Sequence, residues 1–489
     1  MKEKIGKSQI RFGTDGWRAK IADEFTFDNV RKVAQAIADY IKSSQLAVDS
    51  SRPKAKKNPR KRVIVGYDRR FLSKEYARIL SEVLAANNIK VLLTKEAAPT
   101  PAIAFAIKKR ALDGGIIITA SHNPPIFNGI KFKTHLAGPA DELTTENIER
   151  LVGRNRVRSK DFDSAIRDNT IEFTDISDDY IRFLRKYVNI DKIRKAKPKI
   201  LIDYMHGAGA GYIEAVLGKG ISSIDIIRDQ IDPMFGGVNP EPIPKNLGAS
   251  LKHIKTKKFD IGVAIDGDGD RIGALRPDAK FITSGQIISL ILLHFLEFKK
   301  LTGNVVKTIS GTTLIERICK RFDLKLLEVP VGFKHISHFM LKENVLIGGE
   351  ESGGIGFCNY MPERDGILSA LLLIEMIAER KKTIISIMND IDKRFGKFCY
   401  DRLDIAYPKR KARLLTESLK KNPPLKIAGE KVQRMKTYDG IKFILEDASW
   451  LLLRFSGTEP LIRIYAEGPT EEFVKRLLKE GKRIIFDSY

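Results

Sequence analysis

The sequence predicts an α/β protein: three related α/β domains with mixed sheets, followed by a smaller α+β C-terminal domain. Three observations lead there. Short β-branched runs alternate with stretches of helical apolar spacing through most of the chain, which argues for sheets covered by helices on both faces. Those runs end in turns rich in glycine, serine and aspartate. Beyond Tyr407 the chain becomes cationic and passes Asn422-Pro423-Pro424, which reads as a connection into a terminal domain of different character. With 489 residues, 43% of them apolar, the chain is long enough for several cores.

Taken in order, Thr26 caps a helix whose apolar positions Val30, Val33, Ala34, Ile37 and Ile41 keep helical spacing. Val63-Ile64-Val65, Lys90-Val91-Leu92-Leu93 and Gly115-Ile116-Ile117-Ile118 read as buried strands, and the first domain is placed at residues 1–165. The second, at 166–280, opens its strands at Lys199-Ile200-Leu201-Ile202-Asp203, turns at Gly207-Ala208-Gly209, and continues at residues 260–265. The third, at 281–395, runs past Asn304-Val305-Val306 to Asn344-Val345-Leu346-Ile347. Residues 396–489 form the last.

Two turns carry chemistry. Thr119-Ala120-Ser121-His122-Asn123-Pro124-Pro125 follows a strand and presents one hydroxyl at the end of a sheet, where the prolines stop regular structure. Asp266-Gly267-Asp268-Gly269-Asp270-Arg271 also follows a strand, and three carboxylates separated only by glycine make a compact oxygen-rich turn suited to a hard cation such as Mg²⁺. Alone, Ser121 reads as a turn residue and the aspartates as a surface calcium loop, although the EF-hand spacing and its terminal glutamate are absent. Together they suggest phosphoryl chemistry.

The composition narrows the class further. Three cysteines, Cys319, Cys358 and Cys399, are too few and too scattered for a disulfide framework or a zinc site. The N-terminal residues carry charges throughout and no apolar core segment, so no secretory signal is read. The longest apolar stretches are interrupted by His294, Glu297 or Glu375, which argues against a membrane span, and a cytoplasmic location is expected. The formal charge is +25, with its densest run at residues 52–62. That run lacks interleaved aromatics and reads as a solvated connecting loop, so no nucleic-acid partner is expected.

The chain resembles the α-D-phosphohexomutases, the family of phosphoglucomutases and phosphomannomutases. Five motifs carry the resemblance in the family's order: Phe12-Gly13-Thr14-Asp15-Gly16-Trp17-Arg18, Thr119 to Pro125, Asp266 to Arg271, Gly348-Gly349-Glu350-Glu351-Ser352-Gly353-Gly354, and Arg454-Phe455-Ser456-Gly457-Thr458-Glu459-Pro460. The resemblance implies that the four domains surround a central cleft. It implies that Ser121 is the phosphorylated serine and a metal ligand with Asp266, Asp268 and Asp270, the ion being Mg²⁺. Arg271 would contact the transferring phosphoryl group. Arg18, His122 and Lys131 match catalytic positions, with Lys131 either a general acid/base or an electrostatic clamp. Glu350 and Ser352 would read ring hydroxyls, and Arg454, Ser456, Gly457 and Thr458, with Arg463 as a weaker addition, would grip the distal phosphate.

The implied reaction interconverts glucose 1-phosphate and glucose 6-phosphate through glucose 1,6-bisphosphate, which also serves as activator. Glucose is favoured because the sugar motif reads Glu-Glu-Ser-Gly-Gly, whereas glucosamine-specific relatives carry Gln-Ser-Gly-His there. Mannose 1-phosphate, or both sugars, is the alternative, and glucosamine phosphate the next. A silent sugar-phosphate-binding protein is the reading from another class.

Overall fold

Val63, Ile64, Val65, Ile116, Ile117 and Ile118 are fully buried, as parallel strands covered on both faces require. The computed structural model describes residues 10–13, 15–43, 60–218, 223–455 and 461–487. It forms two compact units, Met1–Phe281 with Gly353–Lys381, and Ile282–Ser352 with Lys382–Tyr489.

The first unit holds two mixed sheets. One contains β1 (Trp17–Lys20), β2 (Arg62–Tyr67), β3 (Lys90–Thr94), β4 (Gly114–Ile118), β5 (Phe127–Thr134) and β6 (Ile171–Thr174), in the order β1-β5-β4-β2-β3-β6. β2 runs parallel to β3 and β4, whereas β5 is antiparallel to both β4 and β1. Helices Phe27–Ser43 and Ser73–Ala86 cover it with apolar faces. Thr26 caps the first of these as the sequence predicts, its hydroxyl accepting from the Asn29 amide at 3.3 Å. The other sheet contains β7 (Lys199–Asp203), β8 (Ser223–Ile227), β9 (Ile261–Ile265) and β10 (Ile272–Leu275), with β7 parallel to β8 and β9 and β10 antiparallel to β9. Helix Gly366–Arg380 packs against β9 and β10. Its Ile367, Leu368, Leu371 and Leu372 are fully buried, each worth about 1.5–3 kcal/mol relative to exposure.

The second unit joins a parallel layer to an antiparallel one. Strand Asn304–Thr308 lies between Leu326–Val329 and Val345–Gly349, all parallel. Helix Ser284–Glu297 starts from a capping box of Thr283 and Gln286. The C-terminal sheet is antiparallel, with Cys399–Ala406, Leu461–Gly468, Trp450–Phe455, Ile441–Leu445, Glu430–Lys436 and Lys426–Ile427 in that order, and helix Glu471–Asp487 on it. The α/β class with a smaller antiparallel terminal domain is the architecture observed.

One expectation is corrected. Residues 407–424 do not simply connect domains: Lys409–Lys421 is a helix. Ala412, Leu415 and Leu419 share one face and enter the C-terminal core. Their helical spacing is masked in sequence by the surrounding lysines and arginines. Among the described residues, no helix is long and apolar enough to cross a membrane.

Candidate active site

β4 ends at Ile118, and the chain reaches Ser121 in a left-handed backbone conformation, φ 52°. A non-glycine residue there costs about 1–2 kcal/mol, so its neighbours must hold it. Thr119 accepts from the Ser121 amide at 2.8 Å. Arg70, in the turn after β2, donates to the carbonyls of Ser121 and Asn123 at 2.6 Å each, of Pro124 at 2.9 Å and of Phe127 at 3.0 Å. Asp68 orients Arg70, its Oδ2 3.2 Å from the guanidinium Nε, and accepts the Thr119 hydroxyl at 2.6 Å. One buried ion pair therefore sets the whole turn.

The Ser121 hydroxyl donates to Asp266 Oδ2 at 3.2 Å, and His122 Nδ1 lies 3.4 Å from the same hydroxyl oxygen. The aspartate turn comes this close because position 267 is glycine: a Cβ there would sit 2.8 Å from the Ser121 carbonyl oxygen. Asp266, Asp268 and Asp270 are fully buried, and one carboxylate oxygen from each lies within 4.8 Å of the others. Protein donors hold only part of this set. Asp268 Oδ2 accepts from Thr100 and Lys131, both at 2.7 Å, and Asp270 Oδ2 accepts from Lys131 at 3.0 Å and Arg364 at 2.7 Å. Oδ1 of Asp268 and Oδ1 of Asp270 have no hydrogen-bond partner. Asp270 Oδ1 lies 3.7 Å from Arg271 Nε. Two buried carboxylate oxygens without a hydrogen bond, beside a third carboxylate, fit a divalent cation with oxygen ligands.

The charges around the triad alternate. Lys131, on β5, also lies 2.9 Å from Asp15. Burial alone would push its ammonium down, but Asp15, Asp268 and Asp270 reverse this and hold it above its ordinary range. Burial pushes Asp266 well up, reinforced by the like charges of Asp268 and Asp270. His122 is driven well below the usual histidine range by burial and by Arg271, Arg18, Lys131 and Arg70, so its imidazole is neutral. Arg18, on β1, donates to the Asn123 side chain at 2.6 Å, and the Arg271 amide donates to Asp266 Oδ1 at 3.0 Å. Ser121, Arg18, His122, Lys131, Arg271 and the aspartates thus converge in the first unit.

The remaining predicted residues belong to the second unit. Glu350 is buried and accepts from the Gly332 amide at 3.0 Å, with Ser352 half-buried two positions on. Arg454 Nε donates to both oxygens of Asp439 at 3.0 Å, and Asp439 also accepts from the Val331 amide at 2.7 Å. The Val331-Gly332 turn therefore ties Glu350 to Arg454 through Asp439. Arg463 sits directly opposite Arg454 in the strand register and 3.6 Å from Asp404. Ser456, Gly457 and Thr458, like most of the basic run at 52–62, lie outside the described residues.

Family profiles match nearly the whole chain in domain order. Phosphoglucomutase/phosphomannomutase alpha/beta/alpha domains I, II and III match residues 9–158, 178–279 and 283–395, and the C-terminal domain matches 411–482. The chain belongs to the α-D-phosphohexomutase family. Among curated relatives, a protein of Methanosphaera stadtmanae named "Probable phosphoglucosamine mutase" is 31% identical, covering 96% of each chain. The phosphoglucomutase/phosphomannomutase of Thermococcus kodakarensis is 30% identical over 97% of this chain and 98% of its own. A solved structure from Thermus thermophilus, provisionally named phosphomannomutase, superposes with a TM-score of 0.84 at 34% identity, over 98% of this chain and 100% of that one.

Four residues of this phosphohexomutase escaped the sequence reading: Arg70, Asp15, Thr100 and Arg364. Asp15 stood inside a quoted motif and Arg70 two residues after Asp68, which follows the end of β2, and these are weak local signals. Thr100 and Arg364 have none, because their partners lie 168 and 94 positions away.

Proposed function

We propose that this phosphohexomutase moves a phosphoryl group between the O1 and O6 positions of a hexose through a phosphoserine at Ser121, with glucose 1-phosphate and glucose 6-phosphate as its substrates. The observation that carries the reading is the Ser121 hydroxyl set against three buried aspartates, two of which keep an oxygen without a hydrogen bond. Asp266, Asp268 and Asp270, with an oxygen of phosphorylated Ser121, would hold Mg²⁺. Bound there, the ion would offset charge on the transferring phosphoryl group.

The chain's own groups then have distinct tasks. His122 is in its base form beside Oγ, which fits it to take the proton from the attacking sugar hydroxyl and return it later. Lys131 is held as an ammonium by three carboxylates, so of its two open roles electrostatic clamping is the one supported. Arg271 and Arg18 supply planar donor forks for phosphoryl oxygens. Phosphoserine gives its phosphoryl to O6 of the 1-phosphate, and the other phosphoryl of the resulting 1,6-bisphosphate returns to Ser121 Oγ. Phosphate is conserved over the cycle. Glu350 and Ser352 would read the ring hydroxyls, and Arg454, Arg463 and residues 456–458 would take the distal phosphate in either orientation. The division at 1–165, 166–280, 281–395 and 396–489 belongs to the same reading and is supported by the four ordered domain matches.

The Glu350-Glu351-Ser352-Gly353-Gly354 motif supports glucose, with mannose the near alternative. A second reading, a glucosamine phosphate, is favoured by the names of two relatives at 31% and 29% identity. The test is Mg²⁺-dependent turnover of the 1-phosphates of glucose, mannose and glucosamine, primed with glucose 1,6-bisphosphate, for wild type and Ser121→Ala. Turnover lost in the variant supports the phosphoserine route, and the ratio of kcat/KM values names the sugar. Equal rates in both proteins would refute the route, and no turnover of any sugar would favour a silent binding protein.

A further inference from the structure

Asp365 is fully buried in the first unit, at the start of helix Gly366–Arg380. Its Oδ1 accepts from the Leu368 amide at 2.8 Å, an ordinary helix cap worth about 1 kcal/mol. Capping requires no more than that oxygen. Yet Oδ2 accepts two tyrosine hydroxyls, Tyr180 at 2.6 Å and Tyr360 at 2.7 Å. Tyr180 comes from helix Ser177–Tyr187 and is fully buried, and Phe183 of the same helix stacks on Tyr360 with ring centroids 5.1 Å apart. The backbone on either side is fixed as well: the Asp365 amide donates to Ile355 and the Gly366 amide to Gly269, the latter inside the aspartate turn.

Arg364, the preceding residue, reaches the charges of the candidate site. Its Nη2 donates to Asp15 Oδ2 at 2.5 Å and Asp270 Oδ2 at 2.7 Å. Lys131 contacts the same two carboxylate oxygens, so two cations and two carboxylates close an alternating ring. Space for the arginine is cut to size, because a Cβ at Gly354 would lie 2.3 Å from Arg364 Cδ. The terminal torsion of an aspartate is broad, so a free carboxylate would turn. With Oδ2 of Asp270 held by Arg364 and Lys131, Oδ1 is the oxygen without a hydrogen bond, 3.7 Å from Arg271 Nε, and the one turned to a ligand.

We propose that the Tyr180–Asp365–Tyr360 clasp is the anchor that seats Arg364 across Asp15 and Asp270, and that it thereby sets the affinity of the aspartate triad for its cation. Asp365 and Arg364 are positioning residues on this view, and the inference rests on the triad being a cation site. Loss of a partner that orients a metal ligand typically weakens binding about 10–100-fold. Removing Arg364 also takes one positive charge from beside the triad, which by itself favours a cation; on this proposal the orienting effect is the larger, with Lys131 still bridging Asp15 and Asp270.

The experiment titrates Mn²⁺ against the unphosphorylated full chain, following free Mn²⁺ by electron paramagnetic resonance, with thermal unfolding of each protein in parallel. The proteins are wild type, the Tyr180→Phe/Tyr360→Phe pair, Arg364→Gln, Arg364→Lys and the combination of the pair with Arg364→Gln. The tyrosine pair should raise the Mn²⁺ Kd about tenfold. Arg364→Gln should raise it at least as much, Arg364→Lys less, and the combination no further than Arg364→Gln alone. An unchanged Kd in the tyrosine pair, or losses that multiply in the combined variant, would overturn the anchor. Should the pair fail to fold, Tyr360→Phe alone carries the same prediction at smaller size. No Mn²⁺ binding by wild type would instead sink the cation reading itself.

Discussion

Lys131 in the first unit and Lys442 in the second are both 1% exposed and both lie on sheet strands, yet their surroundings push them in opposite directions. Lys131 has Asp268, Asp15 and Asp270 within 3.0 Å, and these outweigh the cost of burying its charge. Lys442 donates to the Ile309 carbonyl at 2.7 Å and lies 3.9 Å from the centroid of the Trp450 ring. Burial and the neighbouring Lys307 push it down to about 7, against the opposing pull of Glu328, Glu467 and Glu316. Desolvation acts on both lysines. Whether carboxylates stand within hydrogen-bond reach decides the sign, and the region where they do is the one that holds the candidate chemistry.

The comparison breaks most visibly at Lys131. Lys131→Met leaves buried carboxylates without one of the two cations they share, so turnover should fall about 10²–10³-fold and stability by about 3–5 kcal/mol. Steady-state kinetics and urea unfolding check both, and turnover within about tenfold of wild type would mean that the alternating ring is not catalytic. Chelation comes next: dialysis against EDTA should abolish turnover and Mg²⁺ should restore it, whereas activity that survives exhaustive chelation removes the triad from the mechanism.

Lys442 gives the opposite profile. Its pKa is lower in the folded protein, so between about pH 7 and its unfolded value near 10.4 the unfolded chain holds a proton that the native one has released. Its contribution to stability is therefore absent below pH 7 and grows as the pH rises through that window. Subtracting urea midpoints of Lys442→Met from wild type at about pH 6 to 10 should give a rising curve, with turnover within about twofold. A flat difference would show that Lys442 stays charged. The smallest effect belongs to an ion pair with no burial, Arg413 and Glu417, 3.0 Å apart and largely exposed. Arg413→Ala should cost at most about 0.5 kcal/mol, and a larger loss in chemical denaturation would imply that the pair is more than a surface contact.

Much of the architecture was legible because buried parallel strands demand unbroken β-branched runs, and Val63 to Val65 and Gly115 to Ile118 have no other use for them. The serine and aspartate turns were legible for a similar reason, since each is a short local pattern. Helix Lys409–Lys421 was hidden because three apolar residues on one face are outnumbered by cations. Arg364 was hidden for a different reason: the carboxylate it meets at Asp15 lies 349 positions away, and local spacing says nothing of such a pair. The hexose is weakly written, because an amide for a carboxylate and a histidine for a glycine in one loop change little else, and relatives at 31% and 30% identity carry different sugar names.

Arg70 grips the carbonyl oxygens of the Ser121 turn and leaves the Ser121 hydroxyl to others. Its hold is therefore indifferent to whether that hydroxyl carries a phosphoryl group. On the proposed phosphoserine route Ser121 gives up its covalent group and regains it in every cycle, so any loop rearrangement between the two forms would recur twice per turnover. Fastening the main chain and sparing the side chain would give both forms the same platform, and the loop would start each half-cycle where it ended the last.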